Sequence, residues 1–531
     1  MPVQAGFRAA KDKGKAVKVQ QRELAEVDFG DRIRRLTMLR RRVAPTAPTG
    51  RPGGREGLMD QYLQGVLDFV SVARDWIWGN WMIALLVGTG VILTLRTGGV
   101  QFRLFGQSMK LLLHGAFGKE PAKDEKGDIS PYAALMTALA ATVGNGNIAG
   151  VAAAIATGGP GAPFWMWVSA VFGMATKYAE GFLGVYFRRE AEDGSMAGGP
   201  MYYCRYGLKD TRFARGLGWA FALFGGFACL LGTGNMAQSN SMALAVDAAF
   251  KEHGVVGGCP FWISGLVITL LVGLVVIGGI KRIGAVAEKL VPTMIAVYFI
   301  GVIIVLGAHW REIPAAFATI FGFAFSLKAA VGGVIGISVQ RAISLGVSRG
   351  VLSNEAGLGS AGIAQSASRS SDPTDNGLLA MTGVFIDTLV VNTLTTLLIV
   401  VTGVWKLTPV MGGELTSTAL TASAMSTVIP SGSLIIAVCS FLFGYTTLIG
   451  WCYYGEICWE YIFGIRIVLP YRFIYITLLF VGAVVQGPFI NIVWFVGEAA
   501  NAFMAFPNLI GLLMLSGLVA RITRQRYCGE S

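Results

Sequence analysis

The chain has 531 residues, 54% hydrophobic and only 14% charged, with a formal net charge of +12 and a mean hydropathy of +0.59. Soluble domains carry about 25% charged residues, so an ordinary soluble fold is excluded. Three His and seven scattered Cys supply neither a metal cluster nor a disulfide framework.

Residues 1–57 hold 14 Lys and Arg against 6 Asp and Glu. They contain no apolar core, so they do not read as a cleavable signal sequence, and the Pro- and Gly-rich run at 44–54 reads as disordered linker. Residues 1–58 are therefore expected to be a basic extension, with Met59 as the physiological start. The alternative is a native tail that is disordered or binds anionic lipid.

Beyond it, eleven stretches of roughly 20 apolar residues read as membrane helices: 79–97, 131–157, 162–187, 216–249, 261–278, 289–308, 314–340, 377–404, 430–461, 470–486 and 489–521. The fourth and ninth are long and are expected to tilt or to run out into a loop. Connections within 103–126, 188–215, 281–289, 341–369, 466–472 and 521–526 carry 22 Lys and Arg, whereas the opposite ones hold only Lys251, Arg311 and Lys406. The positive-inside rule then places the C-terminus in the cytoplasm and the start of the first span outside. The expected organisation is a first span with its cytoplasmic connection (59–130), a five-span half (131–308), a second five-span half (309–521) and a cytoplasmic tail (522–531).

The second span contains Ala140-Ala-Thr-Val-Gly-Asn-Gly-Asn147. Two glycines within three residues, flanked by asparagines, are poor helix formers in a place where lipid offers no hydrogen-bond partner. The helix is expected to open there. The N–H groups of Asn145 and Gly146 would then begin a half-helix whose positive end faces a carboxylate, and carbonyls near Ala140 and Val143 would be freed. Close packing of helices is the competing use of such glycines.

Lys177 and Glu180 lie three apart in the third span, a spacing that pairs them on one helix face. The fourth span carries a polar cluster from Gly234 to Ser241, in which Gln238 either lines a cavity or bonds between helices. A second candidate break is Ala330-Val-Gly-Gly-Val-Ile-Gly336 in the seventh span. Glycine-interrupted spans at corresponding places in two halves are the trace of an inverted repeat. Asp387 in the eighth span, with Thr388 and Asn392 nearby, is either a proton-sensitive group or a packing residue. The ninth span brings Thr446 and Thr447. Their hydroxyls either bond a carbonyl one turn back or, with the carbonyls freed near Ala140 and Val143, form an uncharged oxygen shell suited to sodium. Trp451, one turn further on, either walls a pocket or simply packs.

Taken together, these stretches resemble the alanine/glycine:cation symporter family, also called sodium:alanine symporters. The resemblance is carried by Thr142–Val151, Gly158–Val168, Phe172–Glu180, Gly198–Tyr203, Arg349–Ala361 and Gly450–Glu456, in family order, and covers about 75–520. It implies an all-α membrane protein of about eleven helices, with the five-plus-five inverted repeat of the leucine-transporter type and broken second and seventh spans. It also implies sodium-driven uptake of alanine or glycine across the bacterial inner membrane. On matching positions, Asn145 and Gly146 would meet the substrate carboxylate and the Thr142 carbonyl its amine, with Gln238 and Trp451 shaping the pocket. Sodium would lie among the carbonyls of Ala140, Val143 and Phe443 and the hydroxyls of Thr446 and Thr447; Phe443 rests on the resemblance alone. The chain departs from the family at Asn145, where Thr is usual, at Asn392, where Cys is usual, and at Gly362, where Pro is common.

The expected function is thus sodium-coupled symport of a small neutral amino acid by alternating access, with the lipid bilayer as its surroundings and no role for nucleic acid. Its rivals are proton coupling through Asp387 or Glu180, a channel, and a non-transporting amino-acid sensor. No nucleophile–base pair or phosphate loop points to an enzyme, and no cofactor is expected beyond the coupling ion.

Overall fold

The computed structural model describes residues 55–118, 126–232, 234–252, 255, 257–325, 339–408 and 417–528. It divides into two compact units, Met1–Tyr62 and Leu63–Ser531. The first is described only from Arg55 onward, and the second holds the helix packing and the site residues.

In chain order the helices are α1 (Arg55–Ile77), α2 (Asn80–Arg96), α3 (Phe105–Phe117), α4 (Pro131–Thr142), α5 (Val151–Gly158), α6 (Ala162–Tyr186), α7 (Pro200–Gly207), α8 (Arg212–Leu231), α9 (Met236–Glu252) and α10 (Phe261–Val276). They continue with α11 (Gly279–Ala308), α12 (Ile313–Phe325), α13 (Val339–Asn354), α14 (Ser360–Ser366), α15 (Pro373–Val384), α16 (Thr393–Thr402), α17 (Thr418–Met425), α18 (Gly432–Phe463), α19 (Val468–Val484) and α20 (Pro488–Cys528). Wide π-type turns at Gly146–Gly150 and Phe385–Asn392 lead into α5 and α16. Among the described residues, two short strands, Arg189–Glu190 and Met196–Ala197, form one antiparallel hairpin between α6 and α7.

Among the described residues, six helical stretches are long and apolar enough to cross a membrane, and a seventh arises if the bent pair Pro131–Thr142 and Gly146–Gly158 is one span. This is an all-α membrane protein. Length and apolarity alone do not recover the count of eleven. α2 and α10 are apolar but short, at 17 and 16 residues. α6 has 25 residues but carries Lys177 and Glu180, and most of its length is buried among other helices, so it has little need of an apolar surface. The candidate second break at 330–336 lies outside the described residues. Lipid-facing character is clearest on α10, where Trp262, Leu266, Leu270 and Leu274 are exposed. Exposed apolar stripes of this kind suit hydrocarbon and not water.

The long fourth span is two helices. α8 ends at Leu231 and α9 begins at Met236. The turn between them is satisfied from α19: Asn235 Nδ2 donates to Tyr475 O at 2.9 Å, and the Tyr475 hydroxyl reaches the carbonyls of Gly234 and Leu448. A broken helix can persist in a bilayer when neighbouring helices take up the freed backbone groups in this way. The long ninth span, α18, runs unbroken for 32 residues.

Helix starts follow local sequence. Ser130 Oγ accepts from Ala133 N at 3.0 Å with Pro131 in the first turn. Asp372 Oδ1 accepts from Thr374 N at 2.8 Å and Asp375 N at 3.3 Å ahead of α15, again with Pro in the first turn. An N-cap of this type contributes about 1 kcal/mol. Asp372→Ala should therefore lower the stability of the detergent-purified protein by about that amount, read as a modest fall in melting temperature with transport retained.

α15, α13 and α14 all pack along α6. The approach is close: a Cβ on Gly184 of α6 would lie 2.3 Å from the carbonyl oxygen of Gly362 in α14. α18 runs past α4, α8, α9 and α11. The two packing sets meet at the turn that follows α4.

Candidate functional site

α4 stops at Thr142, and the next half of the span leaves at an angle of 48°. Val143 is extended, at φ −75° and ψ 90°. In an unbroken helix the Gly144 N–H would bond Ala140 O; here it donates to Asn147 Oδ1 at 2.8 Å. The Asn147 N–H turns to Gly144 O at 3.1 Å, which leaves Val143 O behind. Among the described residues, no backbone hydrogen bond runs from Asn145 or Gly146 N–H back into α4. Asn147 and Ile148 are buried, Asn145 is half-buried and Gly146 is exposed. The opened turn thus leaves two N–H donors, one on a half-buried and one on an exposed residue, and the four carbonyls of Ala140 to Val143 without their helical partners.

α18 faces this turn. A Cβ on Gly450 would meet Ala141 N at 3.1 Å, and one on Gly144 would stand 2.5 Å from Thr447 Oγ1. The hydroxyls of Thr446 and Thr447 both donate to Phe443 O, at 3.0 and 2.9 Å, the back-bonding that threonines adopt in lipid. Thr446 Oγ1 also lies 3.4 Å from Met294 Sδ. Ala140 and Val143 on one side, and Phe443, Thr446 and Thr447 on the other, therefore stand on two elements in direct contact.

The residues expected around a substrate are placed less uniformly. Thr142 Oγ1 bonds back to Ala138 O at 3.1 Å. Asn145 Oδ1 accepts from Ser440 Oγ of α18 at 2.5 Å, which ties the side chain to a neighbouring helix. Gln238 is buried, its amide nitrogen has no partner among the described residues, and that nitrogen lies 2.8 Å from where a Cβ on Gly444 would stand. Trp451 is buried, with its ring against Gly234 in the α8–α9 break and edge-on to Tyr454. It packs at the second break and not against Asn145 or Gly146.

Asp387 joins the opened turn to α13. Its carboxylate accepts from Asn147 Nδ2 at 2.6 Å, Thr388 Oγ1 at 2.7 Å and Ser353 Oγ at 2.9 Å. Asn147 Nδ2 also reaches Asn392 Oδ1 at 3.0 Å, and Asn392 Nδ2 donates to Ser353 Oγ at 3.1 Å. Asn354 Nδ2 donates to Thr388 Oγ1 at 3.0 Å. Every hydrogen-bond donor to this buried carboxylate is neutral. Asn392, unusual for the resemblance, thus has a defined role in the network.

Lys177 and Glu180 do not form the direct pair that their spacing predicts. Glu180 Oε1 accepts instead from Gly357 N at 2.9 Å, Gly359 N at 3.0 Å and Asn508 Nδ2 at 2.9 Å, while Lys177 Nζ points to Ser360 Oγ at 3.4 Å. Backbone N–H groups before α14 compete successfully for the carboxylate. Sequence reasoning did not single out Ser353, Asn354, Glu355 or Asn508 as site residues. The signal available for the first three was the polar run at the centre of Arg349–Ala361.

A separate polar cavity of about 220 Å³ is lined by Asp128, Asp193, Lys281, Glu456, Glu460 and Arg472, among others. Arg472 clamps Glu456 through two bonds of 2.7 and 2.8 Å. Burial pushes the Asp128 carboxyl above its ordinary range, against the opposing pull of the Met196 N–H and Lys281.

The sodium:alanine symporter family model matches residues 63–529. The chain is 45% identical over 461 residues to the sodium/alanine symporter AgcS of Methanococcus maripaludis, covering 86% of this chain and 97% of that protein. It is 33% identical over 482 residues to the probable sodium/glutamine symporter GlnT of Bacillus subtilis, covering 89% and 93%. The putative sodium/proton-dependent alanine carrier protein YrbD of the same organism is also 33% identical, over 464 residues, with 85% and 90% covered.

Proposed function

The chain belongs to the sodium:alanine symporter family, and from that membership we propose that it is a sodium-coupled symporter of alanine, glycine or both. It is a multi-pass membrane transporter and not an enzyme. The observation that carries the finer reading is the opened turn, in which the N–H groups of the half-buried Asn145 and the exposed Gly146 have no backbone partner in α4 among the described residues.

A zwitterion suits such a turn. Its carboxylate takes the two N–H groups at the positive end of the second half-helix, and its ammonium takes the Thr142 carbonyl. Gln238 bounds the pocket, supplying an amide nitrogen that has no partner among the described residues, while Trp451 closes the neighbouring α8–α9 break. Sodium takes the carbonyls of Ala140, Val143 and Phe443 and the hydroxyls of Thr446 and Thr447. Carbonyl oxygens that have lost their helical donors are costly in a low-dielectric interior, so a cation that coordinates them favours the opened state and prepares it for substrate. Alternating access follows if that state and its empty counterpart differ in the tilt of the broken spans against the scaffold, in a five-plus-five repeat of 131–308 and 309–521. The Lys and Arg bias supports a cytoplasmic C-terminus.

Uptake of labelled glycine and alanine into proteoliposomes, with an inward sodium gradient against an equal choline gradient, tests the proposal. Accumulation with sodium alone supports it; accumulation of neither substrate by folded protein overturns the substrate reading. Thr447→Ala should weaken sodium activation, with a smaller effect on substrate affinity at saturating sodium. Unchanged sodium dependence would place the ion elsewhere. One observation favours a second reading, proton coupling: the buried Asp387 carboxylate takes only neutral donors. Uptake driven by a pH gradient in sodium-free buffer separates the two.

A further inference from the structure

A second buried charge centre lies where α6, α13, α14, α18 and α20 meet. Lys177, Glu180 and Glu355 are 3%, 0% and 2% exposed, so two carboxylates share one ammonium inside the membrane. Lys177 is the charged group that faces both. Glu355 Oε2 accepts from Ser360 Oγ at 2.5 Å, and the same hydroxyl accepts from Lys177 Nζ. Tyr454 of α18 and Cys229 of α8 face Glu355, Tyr203 of α7 faces Glu180, and Asp387 is close enough to feel Glu355. None of these neighbours brings a second positive charge.

Two further observations point to a missing ligand. Among the described residues, Glu180 Oε1 has three donors whereas Oε2, also buried, has none, and the buried Tyr454 hydroxyl is likewise without a partner. Glu355 is held at φ +56°, a left-handed conformation that bulky residues seldom adopt and that recurs at functional positions. An uncompensated carboxylate in such surroundings is strongly disfavoured. More hydrogen-bond donors would not remove the excess charge; one positive charge would.

We propose that the Lys177–Glu180–Glu355 centre binds one monovalent cation at Glu180 Oε2, a sodium ion or a proton, in addition to the sodium at the opened turn. A monovalent ion matches the single excess negative charge. Occupancy is linked to the opened turn through three consecutive residues at the end of α13: Ser353 and Asn354 hold Asp387 and Thr388, and Glu355 faces the new site. The proposal goes beyond the symport reading, and ion binding is measurable whether or not alanine or glycine is transported.

The test is direct binding of radioactive sodium to the purified full chain, with melting temperature followed from about pH 5 to pH 9, a range that spans perturbed carboxylates. If the ion is sodium, Glu180→Gln binds one sodium fewer than the wild type, while Thr447→Ala loses the other. If it is a proton, the sodium count is unchanged. The wild-type melting temperature then falls as pH rises, because the folded state holds a proton that the unfolded state releases, and Glu180→Gln flattens that slope. Lys177→Gln should act in the opposite direction. It leaves two carboxylates with no ammonium, so the cation is held about tenfold or more tightly, as expected for removal of an adjacent like charge. A purely structural charge cluster makes both variants worse. Folded Glu180→Gln with an unchanged sodium count and an unchanged pH slope, or a loss of cation binding in Lys177→Gln, overturns the proposal.

Discussion

Gly144→Ala should raise the sodium concentration for half-maximal uptake by at least about tenfold, a change equivalent to about 1.4 kcal/mol. The added Cβ would stand 2.5 Å from Thr447 Oγ1, far inside contact distance. The hydroxyl is the movable partner, and it can escape only by rotating away from Phe443 O and from the opened turn. Gly144 is not among the glycines with positive φ, so alanine meets no backbone strain there and a loss of stability is not the expected outcome. The variant should express, melt near the wild-type temperature and still carry substrate at very high sodium. Sodium titration of uptake in proteoliposomes gives the result, and an unshifted midpoint would remove Thr447 from the ion site.

The larger effect is expected at Asn147. Its side chain caps the Gly144 N–H, and its amide donates to Asp387 and Asn392. Asn147→Ala leaves a buried N–H without an acceptor and takes a 2.6 Å donor from a buried carboxylate. A hydrogen bond to a charged group contributes about 1.5–3 kcal/mol, and each orphaned group adds a further penalty. A loss of about 3 kcal/mol and uptake at background are therefore expected. The paired exchange Asn147→Asp with Asp387→Asn keeps one acid and one amide in contact and should recover part of the stability, whereas Asn147→Asp alone should be worse than either. Thermal melting of the four proteins closes the cycle, and additivity would mean that the two residues do not interact.

The opened second span was legible in the sequence because its cause is local. Gly144, Gly146 and the asparagines around them disfavour a helix within one turn, and no distant residue is needed to see it. The same holds for Thr446 and Thr447, whose spacing puts two hydroxyls one turn beyond a carbonyl. The break between α8 and α9 was less legible. The polar cluster at Gly234–Ser241 was visible, but a break there depends on Tyr475 of α19 to satisfy Gly234 and Asn235, and nothing near residue 234 announces that partner. Lys177 and Glu180 show the opposite failure. Their three-residue spacing is right for a pair on one helix face, yet the N–H groups of Gly357 and Gly359 bind the carboxylate in its place.

The sequence by itself determined the membrane class, the family and the place where the second span opens. Each of these rests on composition, on motif or on backbone preference, all of which act over short stretches of chain. The tertiary structure decided which buried polar groups satisfy one another: Asn147 with Asp387, Asn145 with Ser440, Glu180 with Asn508. In a bilayer interior water does not compete for those groups, so each takes whichever partner helix packing brings within reach. That packing joins residues 240, 295 and 328 positions apart, and no local pattern encodes such a choice.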